Sequence, residues 1–250
     1  GGQPNALYME GGTLSIQGNG LLDMRDPFVS DANHTSSIEK IGSGVWKLAG
    51  NNSVSNLNIN GGTLYLYAQD EVGNGNKDNP NAKVSVGHIN NLSSMNLGSS
   101  TTGTATLIAG GGNTLSGDTL TIHSGSTLGF KLSDAHVISS TADPTSQTAA
   151  LNLSFNNFSL NGGTVFIDIA EATPKIARYH LVHNTRNSNR TGNWRLRYLG
   201  YDPKSIFRIS NKFTFVESGP QNITFSQNDT IPNLVLPWNG NATDKWNLND

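Results

Sequence analysis

Three segments of the chain place Gly-Gly-Thr directly before a stretch in which apolar and polar residues alternate. They begin at Gly11, Gly61 and Gly162, and they read GGTLSIQG, GGTLYLYA and GGTVFIDI. Alternation with a period of two is typical of a β-strand whose two faces have different surroundings. Glycine adopts a positive φ at little cost, so each Gly-Gly pair predicts a corner at which the chain enters a strand.

Short alternating stretches recur along most of the chain and are separated by Gly, Asn or Ser-Gly turns. No segment of ten or more residues shows a convincing helical period of 3.6. The nearest, DIAEATPKIARYHL at 168–181, is interrupted by Pro174. Many short strands are compatible with a β-sandwich or a solenoid, but only a solenoid gives a reason for the internal self-similarity. We therefore predict an all-β chain folded as a parallel β-helix with roughly 20–25 residues per coil.

The alternation also predicts which side chains lie inside such a coil. In TLYLYA, Leu64 and Leu66 share one face and Tyr65 and Tyr67 share the other. We expect the two leucines to stack on equivalent residues of neighbouring coils, with the two tyrosines facing outward.

Composition excludes several classes of protein. Charged residues make up 14% of the chain, 28 residues are glycine and none is cysteine. The absence of cysteine excludes a disulfide scaffold and a thiolate metal site. No apolar run approaches the roughly 20 residues that span a bilayer, and we expect no direct membrane insertion. The segment GGQPNALYME at the start lacks the basic and apolar regions of a signal peptide.

Residues 38–66 resemble the autotransporter-associated β-strand repeat of bacterial autotransporter passenger domains. The features that match are Lys40, Gly42, Gly44, Leu48 and Gly50, a short Asn/Ser loop, and then Asn60-Gly61-Gly62-Thr63-Leu64. Trp46 departs from the usual aliphatic or Thr side chain but keeps the alternation. The segment 151–169 matches only the second half of the repeat, and LPWNGNATDKWNLND resembles the opening of another block.

The resemblance implies a right-handed parallel β-helix with a less regular C-terminal region. It also implies export to the bacterial cell surface or beyond, with an outer-membrane barrel downstream in the full-length chain. We expect β-helix repeats in 1–170, modified coils or a capping subdomain with a basic face in 171–235, and the start of a following block or a linker in 236–250.

Basic residues are concentrated near the C-terminal third of the chain. Residues 171–212 hold nine basic side chains against Glu171 and Asp202, whereas the whole chain has a net charge of −2. Arg195 and Arg197 would share one face of a strand, with Trp194, Leu196 and Tyr198 on the other. The predicted basic face consists of Arg178, Arg186, Arg190, Arg195, Arg197, Lys204, Arg208 and Lys212. Such a face attracts sulfated or phosphorylated polyanions.

Catalytic and metal-binding patterns are weak. His180 and His183 are three residues apart, which places them on opposite faces of a regular strand. Four carboxylates, those of Asp118, Asp134, Asp143 and Asp168, would form a catalytic groove only if the coils aligned them. The chain contains neither a G-x-S-x-G motif nor a Gly-Lys-Ser/Thr phosphate loop. We predict no catalytic residues, no metal and no cofactor.

These observations favour a secreted or surface-displayed passenger that binds host cell-surface or matrix components without enzymatic activity. A host receptor or a sulfated polyanion is the expected partner, nucleic acid is not, and we expect a monomer. Two alternatives stay open: a structural spacer within a longer passenger, and a carbohydrate-active β-helix enzyme such as a polysaccharide hydrolase or lyase.

Overall fold

The computed structural model describes residues 6–71, 84–101, 103–132, 136–138, 149–161, 163–171, 177–184, 193–198, 213–218 and 222–227. The described part is nearly all β, as the alternation predicts, and it includes the short 3₁₀ turn Gln69–Glu71. Its strands form one sheet of thirteen strands and one of seven.

The strands are short, as expected for a chain with frequent turns. They are β1 Leu7–Met9, β2 Gly12–Gln17, β3 Leu21–Met24, β4 Phe28–Ser30, β5 Ser36–Ile41, β6 Val45–Leu48, β7 Asn51–Ser53, β8 Asn56–Ile59, β9 Gly62–Leu66, β10 His88–Leu97, β11 Ala105–Ala109, β12 Asn113–Ile122, β13 Thr127–Lys131, β14 Val137–Ile138, β15 Leu151–Ser159, β16 Thr164–Glu171, β17 Ala177–Asn184, β18 Asn193–Tyr198, β19 Phe213–Ser218 and β20 Asn222–Gln227.

The chain passes back and forth between the two sheets. The seven-stranded sheet has the order β18-β16-β13-β11-β9-β6-β3, and all other described strands belong to the thirteen-stranded sheet. Nearly all neighbouring strands are parallel; the antiparallel pairs among the described strands are β14–β17, β17–β20 and β19–β20. Parallel neighbours therefore come from successive passages of the chain.

A continuous apolar core lies between the two sheets. One row of inward side chains in the seven-stranded sheet follows the register Trp46, Leu64, Leu107, Leu128, Ile167 and Leu196. Leu64 and Leu66 are fully buried in this core, which confirms the predicted inner face. Trp46 is also fully buried, and its ring stacks on Phe28 with centroids 5.8 Å apart.

The three Gly-Gly-Thr segments do not occupy equivalent places. Each precedes or opens a strand, as predicted, but the first opens β2 in the thirteen-stranded sheet and the other two lead into β9 and β16 in the seven-stranded sheet. The passages also differ in length, since hydrogen-bonded neighbours on adjacent strands are 19 residues apart at Ser37 and Asn56 but 38 apart at Asn58 and Asn96. Unequal loops therefore break the simple spacing of 20–25 residues.

Stacked glycines form the corner within the segment that resembles the autotransporter repeat. A Cβ on Gly62 would lie 2.6 Å from the carbonyl oxygen of Gly42 and would also overlap that of Gly44. Lys40 lies in an inward-facing position of β5 between Ile16 and Ile59, yet its Nζ reaches this corner. The amine donates to the carbonyl oxygens of Gly42 at 3.2 Å and Gly61 at 2.8 Å. Burial lowers the pKa of Lys40.

Pairing changes in the C-terminal part of the chain. The antiparallel strands β17, β20 and β19 succeed the parallel strands of the thirteen-stranded sheet. They fall within 171–235, for which the sequence predicts modified coils or a cap. The boundaries of the three predicted regions stay predictions, and 236–250 lies outside the described residues.

Candidate functional site

Arg195 and Arg197, two of the predicted basic residues, lie on β18 at one edge of the seven-stranded sheet. Trp194 and Leu196 alternate with them and pack against the core. The two arginines therefore share the outer face of the sheet, as the period-two pattern predicts. Arg195 is exposed and Arg197 is half-buried.

Arg197 is held by three residues on the next two strands of the sheet, β16 and β13. Its Nη2 donates a hydrogen bond to Thr127 Oγ1 at 2.7 Å and lies 3.5 Å from a carboxylate oxygen of Asp168. Its guanidinium carbon lies 4.2 Å from the centroid of the Phe166 ring, which is a cation–π distance. The carboxylate of Asp168 offsets part of the charge, and the three contacts fix the direction of the side chain.

Arg178 does not extend this face, because it lies on β17 in the thirteen-stranded sheet, whereas Arg195 and Arg197 lie in the seven-stranded sheet. The other predicted basic residues, Arg186, Arg190, Lys204, Arg208 and Lys212, lie outside the described residues. Their contribution to a basic face stays a prediction.

A second group of polar and aromatic side chains lies on the outer face of the same sheet, near its other edge. This group, which we call the tyrosine–lysine cluster, consists of Asp23, Lys47, Tyr65, Tyr67, Glu71 and Lys131. The parallel register places Lys47 opposite Asp23 on one side and Tyr65 on the other. Stacking of strands from separate passages thus assembles the cluster.

Cations lie over the tyrosine rings of the cluster. Lys47 Nζ is 4.7 Å from the centroid of Tyr65 and 5.6 Å from that of Tyr67, and Lys131 Nζ is 5.0 Å from that of Tyr65. Lys131 also lies 3.6 Å from Glu71, a weak ion-pair distance. Both lysines are therefore at cation–π distances, and Lys131 also has a carboxylate nearby.

Each tyrosine hydroxyl donates to a carboxylate. Tyr65 donates to Glu71 at 2.6 Å and Tyr67 donates to Asp23 at 2.9 Å. Burial, followed by the hydrogen bond to Asp23, raises the pKa of Tyr67 to about 12. The protonated phenol is thus the form that the folded protein favours.

Sequence reasoning did not identify this cluster as a site. The alternation correctly turns Tyr65 and Tyr67 away from the main core, but their exposed fractions are only 6% and 8%. They pack with Ala49 and Val84 in a second apolar cluster. The alternation of Lys47 with Trp46 and Leu48 does indicate that Lys47 faces outward. The pairing of β6 with β9, which brings Lys47 to Tyr65, is not visible in the sequence.

The carboxylates considered for catalysis do not form a pair among the described residues. Asp118 is exposed on β12 in the thirteen-stranded sheet and accepts a hydrogen bond from Asn156 at 2.8 Å. Asp168 lies on β16 in the other sheet, next to Arg197. Asp134 and Asp143 lie outside the described residues. Asp118 and Asp168 therefore do not form the pair of carboxylates that a glycoside hydrolase uses, whereas Asp168 does lie beside an arginine.

The two histidines of β17 are closer than a regular strand predicts. The rings of His180 and His183 are 5.8 Å apart between centroids, so their predicted placement on opposite faces is wrong. The pairing of β17 with β20 shifts register between His180 and Val182, and this irregularity explains the difference. Within the described residues, no group of three or more His, Asp or Glu side chains is arranged to hold a metal.

Comparison with protein-family models, curated proteins and solved structures yields no match. In the portion of the chain that the structure describes, no helix is long and apolar enough to span a membrane.

Proposed function

We propose that this chain is part of a secreted or surface-displayed autotransporter-type passenger that binds anionic host or matrix polymers without enzymatic activity. Its coils form a right-handed parallel β-helix, and the full-length chain carries an outer-membrane barrel downstream. Support for the solenoid comes from the two parallel sheets, between which the chain passes repeatedly around one core. Support for the family comes from residues 38–66, where the matching glycines and Lys40 build one corner.

The observation that carries the binding proposal is the arrangement on β18. Arg195 and Arg197 point to the same outer face, and Arg197 is fixed by Thr127, Phe166 and Asp168. A guanidinium that is already oriented loses less side-chain entropy when it binds a sulfate or carboxylate. Arg195 is exposed beside it and supplies the second cation.

Heparin chromatography tests this proposal. We expect the protein to be retained at low salt and released as salt rises, because contacts between exposed charges are screened. The double variant Arg195→Ala/Arg197→Ala should elute at lower salt. Arg25 directly follows β3, and its Nη2 lies 3.2 Å from a carboxylate oxygen of Asp23 in the tyrosine–lysine cluster. Arg25→Ala/Lys47→Ala is the matched control, because it removes two cations near the opposite edge of the same sheet and should elute close to the unchanged protein.

Two results would contradict the proposal. Flow-through of the intact protein would remove the polyanion contact and favour a spacer. An equal loss of retention in both double variants would show that net charge, rather than the β18 arginines, governs binding. Circular dichroism of each variant confirms that the sheets are retained.

A further inference from the structure

The outer face of the thirteen-stranded sheet carries a regular array of short polar side chains. Six neighbouring strands, β2, β5, β8, β10, β12 and β15, each contribute two outward positions. One row is Thr13, Ser37, Asn56, Ser94, Thr119 and Asn157, and the other is Ser15, Glu39, Asn58, Asn96, Thr121 and Ser159. Eleven of these twelve residues are Ser, Thr or Asn. We call this surface the amide–hydroxyl array.

The spacing of the array follows from its parallel register. Neighbouring strands lie about 4.8 Å apart, and outward side chains on one strand repeat about every 6.6 Å. The residues between the outward positions, such as Leu57 and Leu120, are buried in the core, which fixes the direction in which the array points. The array is therefore a repeating surface rather than a single pocket.

Hydrogen bonds between strands orient several of these side chains. Asn56 Nδ2 donates to Ser37 Oγ at 3.2 Å, and Ser94 Oγ donates to Asn56 Oδ1 at 2.8 Å. Asn96 Nδ2 donates to Asn58 Oδ1 at 2.8 Å. An amide group has two donor hydrogens and two acceptor lone pairs, so these bonds leave polar capacity that half-exposed side chains can offer to a ligand.

The chemistry of the array selects the kind of partner. It contains no cation and one carboxylate, Glu39, which accepts a hydrogen bond from Asn60 at 2.6 Å. A polyanion therefore gains no charge attraction here. The array also lacks the large apolar and aromatic side chains that form the centre of a protein–protein interface. The amide and hydroxyl groups of the array match the hydroxyl groups of a neutral sugar, because both kinds of group donate and accept hydrogen bonds.

We propose that the amide–hydroxyl array binds a neutral linear polysaccharide that lies across the strands. A β-linked hexose advances such a polymer by a distance close to one strand spacing, so successive sugars meet successive strands. The carboxamides of Asn58 and Asn96 bond sugar hydroxyls, and the carboxylate of Glu39 accepts from another. This site is separate from the arginines of β18, which belong to the other sheet.

Calorimetric titration with cellohexaose and mannohexaose, and sedimentation with insoluble cellulose and mannan, test this site. We expect at least one polymer to bind with little dependence on salt, because no ion pair is involved. Asn58→Ala/Asn96→Ala should weaken binding at least tenfold. The matched control is Asn90→Ala/Ser116→Ala, which removes the same kind of inter-strand bond, here 2.9 Å long, outside the array and should change affinity less than twofold.

Three outcomes would overturn the proposal. They are no binding to any of these neutral polymers, equal weakening by both double variants, and a dimer in sedimentation velocity that only Asn58→Ala/Asn96→Ala dissolves. The last would show that the array docks a second copy of the chain. Heparin retention is a separate measurement. A failure to bind neutral polymers would therefore leave the proposed polyanion contact intact, and a failure to bind heparin would leave the proposed polysaccharide site intact.

Discussion

Replacing Gly62 with alanine tests whether the stacked glycine corner stabilises the fold. Gly62 has a φ of +65°, and a Cβ there would lie 2.6 Å from both the carbonyl oxygen of Gly42 and Nζ of Lys40. A left-handed conformation costs a non-glycine residue about 1–2 kcal/mol. Forcing a methyl group against packed backbone adds about 1–3 kcal/mol. We therefore expect Gly62→Ala to lower the free energy of unfolding by about 2–5 kcal/mol.

Gly112→Ala provides the matched control. Gly112 has a φ of +83°, but the nearest atom to an added Cβ is Cβ of Gln69 at 3.9 Å, an ordinary contact. For this variant the free energy of unfolding should fall only by the cost of the left-handed backbone conformation, about 1–2 kcal/mol. Chemical denaturation followed by circular dichroism measures both variants under the same conditions. If Gly62→Ala costs no more than Gly112→Ala, the close stacking of this corner is not what requires glycine.

Two further predictions concern the core and the tyrosine–lysine cluster. Leu64→Ala should lower the free energy of unfolding by about 2–5 kcal/mol, because the side chain is fully buried. The control Leu21→Ala removes a side chain that is 63% exposed and should change this free energy by less than about 0.5 kcal/mol. Similar thermal unfolding curves for the two variants would contradict the assigned inner face. The pKa of Tyr67 is about 12 in the folded protein and 10.0 in the unfolded chain. The protonated phenol therefore contributes its full share of the free energy of unfolding below pH 10, and this share is lost as pH rises through 12. Tyr67→Phe should remove this part of the alkaline destabilisation, and an absorbance titration in which every tyrosine ionises near its ordinary pKa would refute it.

The direction of side chains was predictable from the sequence because it depends only on the period of a strand. Leu64 faces the core, and Tyr65 next to it faces away. Trp194 likewise packs inward while Arg195 is exposed. A regular strand determines these relations locally, whichever strand it pairs with. They fail at His180 and His183, where the backbone is irregular between His180 and Val182.

Contacts between strands were not predictable, because they depend on how many residues each passage uses before the chain returns. Asp168 meets Arg197, and Tyr67 meets Asp23 across a separation of 44 residues. The three copies of the Gly-Gly-Thr motif also lead into strands of different sheets. A loop of variable length separates such partners in the sequence, and no local pattern records its length. Both the tyrosine–lysine cluster and the amide–hydroxyl array therefore become visible only once the register is known.

The corner shows why Lys40 and the glycines form one physical unit rather than separate motif positions. Successive passages approach so closely at Gly42 and Gly62 that a Cβ would overlap the neighbouring backbone. Such close approach directs the carbonyl oxygens of Gly42 and Gly61 toward the edge of the core, where they need donors. Lys40 occupies an inward position whose neighbours in register, Ile16 and Ile59, are apolar, and its long side chain carries an amine to both oxygens. An apolar residue at position 40 would fill the row but leave these carbonyls unsatisfied. The close packing of the glycines thus explains why a lysine occupies position 40. Its amine is partly desolvated there, which lowers its pKa, and the two hydrogen bonds offset this cost.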